Sequence, residues 1–70
     1  MNQMKNSELL KKEIKNSGMT MTAIAKKTGI SRGTLYNKLN KIESFTASEI
    51  VSLSDALHMS KEKRDKIFLS

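Results

Sequence analysis

Helix start and stop signals cut this chain into pieces of two or three turns each, and that punctuation limits its fold more than any other feature. Thr20, Ser31, Thr46 and Ser60 stand where helices can begin, while Gly18 and Gly29 stand where they can end. A hydroxyl at the N-cap accepts a hydrogen bond from a first-turn amide, and glycine after the last turn adopts positive φ without a steric penalty. The spacing predicts helices over about 7–17, 21–28, 32–40, 47–58 and 61–68, with Asn6 or Ser7 capping the first and a polar loop from Lys41 to Phe45. Thr46-Ala-Ser-Glu49 has the form of a capping box. Strand signals are missing: there is no sustained alternation and no Asn-Gly or Asp-Gly pair.

Apolar residues fall at helical spacing within each piece. Leu9, Leu10 and Ile14 share one side of the first helix, and Leu35 and Leu39 lie one turn apart on the third. Ile50, Val51, Leu53, Ala56 and Leu57 give the fourth the widest apolar face. The expected core is Leu10, Ile14, Ile24, Ala25, Ile30, Leu35, Leu39, Phe45, Ile50, Leu53, Leu57 and Ile67. Seventy residues allow one domain, so the expectation is a single all-α cluster of five helices spanning 1–70.

Several function classes drop out. With no cysteine there is no disulfide framework and no thiolate zinc site, which fits a reducing compartment such as the cytoplasm. The longest apolar run is about three residues, Ile67-Phe68-Leu69, against the roughly twenty that a membrane span needs. The single histidine, His58, has no second ligand to share a metal, and its place at the end of the fourth helix suits a cation at the dipole's negative pole. Glu8 and Glu13 diverge on their helix, and no glycine-rich phosphate cradle exists. The expectation is no catalysis, no metal and no cofactor.

Charge supplies the positive signal. The net charge is +6, but residues 21–42 hold five cations and no acid, while residues 43–59 hold three acids and no Lys or Arg. Such a field draws a polyanion to one side of the molecule and repels it from another. Within the cationic stretch, Thr28-Gly29-Ile30-Ser31 joins two helices by a short glycine-containing connection, the helix-turn-helix arrangement, over about 20–40. Ala25 is small where the helix axes converge, Gly29 permits the turn, Ile30 plugs the angle and Leu35 seats the next helix on the core. The second helix of such a pair fits the major groove of B-form DNA.

Gly18-Met-Thr20 followed by Ala23-Ile-Ala25-Lys-Lys-Thr-Gly-Ile-Ser31-Arg-Gly-Thr34-Leu35 resembles the helix-turn-helix of the lambda-repressor-like superfamily, the phage repressor and Cro proteins. Asn37-Lys38-Leu39-Asn40 and Phe45-Thr46-x-Ser48-Glu49-Ile50 are similar to a subgroup from phages and prophages of Gram-positive bacteria. The resemblance covers about residues 7–69. It implies a five-helix fold that acts, usually as a homodimer, on a near-palindromic duplex operator in the nucleoid of a bacterial host.

Carried over by position, the resemblance places Arg32, Gly33, Tyr36 and Asn37 on the base-contacting face of the third helix. Arg32 suits guanine O6 and N7, and Asn37 suits adenine N6 and N7. Thr20, Ser31, Thr34, Lys38, Asn40, Lys41 and Thr46 are implied backbone contacts. The alternatives are that Tyr36 only covers the helix edge and that Asn40 serves only as a C-cap. Two positions depart from the pattern: Met21 stands where many relatives carry a phosphate-bonding glutamine, and Gly33 where they usually carry a reading side chain. The competing reading is a regulator that grips another phage repressor protein, with Met1, Met4, Met19 and Met21 as an adaptable apolar surface. A membrane-surface role ranks last, because the apolar faces can cover one another. Ile67-Phe68-Leu69 either contacts a second copy or folds back on the first helix.

Overall fold

The computed structural model of the chain describes residues 6–69. Along them run α1 (Asn6–Ser17), α2 (Met21–Thr28), α3 (Arg32–Leu39), a 3-10 turn (Ile42–Ser44), α4 (Ala47–Ala56) and α5 (Lys61–Phe68), with no strand among them. This is the all-α, five-helix arrangement expected from the punctuation.

Four of the helices open by one device. Thr20, Ser31, Thr46 and Ser60 hold extended backbone, and each side-chain oxygen accepts from the amide three residues on, at 3.0, 3.2, 3.1 and 3.1 Å respectively. Each bond satisfies one of the amides that a helix start leaves without an intrahelical partner. Asn6 and Ser7, expected as caps, both lie inside α1. Between α2 and α3, Gly29 takes φ 76° and its amide donates to the Ala25 carbonyl at 2.9 Å. The Thr28 hydroxyl ties the same corner, donating to the Ile24 carbonyl at 2.8 Å and accepting from the Ile30 amide at 3.2 Å.

Each helix sends one almost wholly buried side chain to a common centre: Leu10, Ile24, Leu35, Leu53 and Ile67. α2 packs on α3 and α4, while α1 packs on α3 and α5. Ile30, Leu39, Phe45 and Leu57 complete the expected core, whereas Ile14, Ala25 and Ile50 are only partly buried against it. Ile42 joins the core unexpectedly. The segment expected as a plain polar loop winds into the 3-10 turn, which carries both Ile42 and Phe45 inward. Ala56 is buried as well.

Two further expectations are corrected, and an open alternative is narrowed. α4 ends at Ala56 rather than 58, and the chain leaves it through His58 at φ 54°, with the Met59 amide donating to the Ser54 carbonyl at 2.9 Å. His58 therefore occupies the left-handed closing position usually filled by glycine, not the last helical turn. Met19 and Met21 are half-buried against the core and form no exposed methionine surface; Met1 and Met4 lie outside the described residues. Of the terminal trio, Ile67 is buried against the other helices and Phe68 meets Phe45 edge-on at 5.7 Å, so only Leu69, 75% exposed, is left outward.

Candidate nucleic-acid interface

α3 is two turns long and its two sides differ in kind. Leu35 and Leu39 point into the core, and everything that could touch a ligand is displaced around the helix from them. Arg32 and Tyr36 form one outward row at i, i+4 spacing, with Gly33 and Asn37 beside it, and all four are exposed. Tyr36 keeps about half its surface open to solvent. The Arg32 guanidinium leans back over α2, where Nη1 donates to Thr22 Oγ1 at 3.3 Å. A Cβ added at Gly33 would meet nothing within 4 Å, so neither the core nor a neighbouring helix demands glycine there.

The residues expected to meet the sugar-phosphate backbone surround this face in different states. Thr20 and Ser31 are exposed and use their oxygens as caps. The Ser31 hydroxyl also donates to Thr34 Oγ1 at 2.8 Å. Asn40 ends α3 and accepts from Lys11 Nζ at 3.0 Å, which brings a lysine of α1 to the end of α3. Lys41 is exposed and makes no ion pair among the described residues. Lys38 is different: its ammonium is bound to Glu49 Oε1 at 2.6 Å and stands 6.0 Å from the Phe45 ring centroid. Thr46 is exposed, but its amide already donates to the same Glu49 oxygen at 2.9 Å, so the start of α4 is answered by an internal carboxylate. Lys38 first, and the Thr46 amide second, hold the Glu49 carboxyl below its ordinary range.

A short, outward, cation-flanked second helix behind a glycine turn is the geometry by which proteins enter the major groove. Against models of protein families, residues 9–62 match the Cro/C1-type HTH DNA-binding domain. The chain belongs to that family. No curated protein and no solved structure matches it.

Membership in the Cro/C1-type family supports a DNA-binding regulator, and the matched span takes in all of α2, α3 and α4. Among the described residues of this Cro/C1-type domain, no helix is long and apolar enough to cross a membrane. The structure also adds residues that sequence reasoning passed over. Lys11 reaches Asn40 from 29 positions away, a separation at which no local pattern signals contact. Thr22 was readable in principle, because it follows the capping Thr20 by two residues and so stays near the start of α2 beside Arg32. Ser48 and Ser52 of α4 line an open groove with Ser31 and Thr34, giving the Cro/C1-type turn a rim of hydroxyls on both sides.

Proposed function

We propose that this domain is a transcriptional regulator of phage or prophage type that binds duplex DNA sequence-specifically through α3, with Arg32 and Asn37 reading base edges. The observation that carries the reading is the division of α3: Leu35 and Leu39 hold it from behind, and Arg32, Gly33, Tyr36 and Asn37 lie open in front. Thr20, Ser31, Thr34, Lys41 and the Thr46 hydroxyl then set register on the sugar-phosphate backbone. A homodimer on a near-palindromic operator would place two copies of α3 about 34 Å apart, one turn of the duplex. The exposed Leu69 at the end of α5 supports a contact to the second copy there. Such a protein works in the bacterial cytoplasm, at the nucleoid.

Two substitutions separate base reading from backbone contact. After selection of a preferred sequence from random duplexes, Arg32→Ala is expected to cost roughly 1–3 kcal/mol on that sequence and to flatten the preference among sequences. Lys41→Ala is expected to weaken all duplexes alike and to reduce the salt dependence. If neither variant changes affinity for the selected duplex, α3 is not the reading helix.

A further inference from the structure

Five cations lie in the acid-free stretch 21–42, and four of them, Lys26, Lys27, Arg32 and Lys41, carry no carboxylate partner among the described residues. The fifth, Lys38, is engaged by two side chains. Its Nζ bonds Glu49 Oε1 at 2.6 Å, its charge stands over the face of buried Phe45, and the oxygen it binds also closes the capping box of α4 through the Thr46 amide. The Lys38 and Glu49 side chains are 22% and 20% exposed, so the pair is partly withdrawn from water. Charge-assisted bonds of this length are the strong ones, and partial burial raises the cost of breaking them.

We propose that Glu49 is a positioning residue for duplex binding: its carboxylate withholds Lys38 from the phosphate backbone and uses that cation to fix the end of α3 against the start of α4. This rests on the duplex-binding reading above. For Lys38 to neutralise a phosphate it must leave one anion for another, so the exchange gains little. It also strips Glu49 of its counter-charge beside the approaching polyanion, where like charges repel. The depressed titration of the Glu49 carboxyl agrees with a pair that holds at neutral pH. Lys38 therefore does not count among the phosphate contacts, although its position at the end of the recognition helix suggests that it should.

The test is the salt dependence of affinity, measured on a random-sequence duplex and in parallel on heparin. The variants are the parent chain, Lys38→Met, Glu49→Gln and the double variant, each checked by its circular-dichroism melt to be folded at the assay temperature. Methionine keeps an apolar stem on Phe45 while removing the charge. On the duplex, each phosphate neutralised contributes about 0.9 to the log–log slope. Lys38→Met is expected to leave the parent slope unchanged. Glu49→Gln is expected to steepen it by about 0.9, so that the loss of affinity between 50 and 200 mM salt grows about 3.5-fold. The double variant is expected to return to the parent slope.

A slope that flattens by about 0.9 in Lys38→Met shows a working phosphate contact and overturns the proposal, as does a folded Glu49→Gln with the parent slope. A purely structural role for Glu49 would lower affinity without steepening the slope. Should Glu49→Gln not fold, Lys38→Met alone decides. A parent that binds heparin but not duplex refutes the DNA reading, while the heparin slopes still decide for Lys38. A parent that binds neither polyanion overturns both.

Discussion

Gly33 offers a substitution whose effects on stability and on binding should run in opposite directions. It is the second residue of α3, and a Cβ there meets no atom within 4 Å, so alanine fits without displacing anything. Glycine inside a helix costs about 0.8–1.0 kcal/mol relative to alanine through the greater freedom of the unfolded chain. Because the site lies in the first turn, only part of that cost applies, and Gly33→Ala is expected to stabilise the fold by about 0.5–1 kcal/mol. For a domain of this length, 1 kcal/mol shifts the melting temperature by about 4–8 °C, so the variant should melt about 2–8 °C higher. The same methyl group is added to the face that carries Arg32, Tyr36 and Asn37. If α3 lies deep in the groove with Gly33 toward the bases, the variant binds the selected duplex more weakly although it is the more stable protein. Paired circular-dichroism melts and fluorescence-anisotropy titrations read both quantities. A lower melting temperature refutes the account of Gly33 as an unforced glycine. A higher one with undiminished affinity refutes the close approach of this face to DNA.

The remaining predictions concern the scaffold. Ser54 is buried and its Oγ has no hydrogen-bond partner among the described residues, so Ser54→Ala is expected to raise stability by about 1 kcal/mol in a urea titration. His58 holds φ 54°, where a side chain is strained, and His58→Gly should stabilise by about 0.5–1 kcal/mol, read as a higher melting temperature. The folded-state pKa of Glu49 lies below its ordinary value of 4.5. Its contribution to stability is therefore complete above that pH and is lost as pH falls through 4.5 toward the folded value. The urea midpoint should fall between pH 7 and pH 3 by less in Glu49→Gln than in the parent.

Local chemistry made the helix boundaries legible. The bounds of α2 and α5 agree with the expectation because Thr20, Gly29 and Ser60 act on their immediate neighbours and need no knowledge of the rest of the chain. The end of α4 was misplaced by two residues for the converse reason: the left-handed residue that closes it is a histidine, which carries no turn signal. Ile42 was missed because it is a lone apolar residue in a polar stretch, and only the 3-10 winding of that stretch turns it inward. On the candidate interface, the outward set on α3 follows from helical periodicity once Leu35 and Leu39 are known to face the core. The states of the flanking lysines do not. Lys11 on Asn40 and Lys38 on Glu49 are contacts between elements, and residue type alone cannot separate a lysine that waits for a ligand from one already engaged.

Among the described residues no helix exceeds 12 residues and α3 has only eight, lengths at which an isolated helix in water is marginal at best. α3 thus has no existence apart from the assembled interior, and its shape is on loan from Leu35 and the four buried side chains that meet it. Warming such a molecule should abolish duplex binding in one cooperative step, with no loosened intermediate that still binds. Temperature-sensitive alleles should accordingly cluster at these five hidden positions, far from any nucleotide.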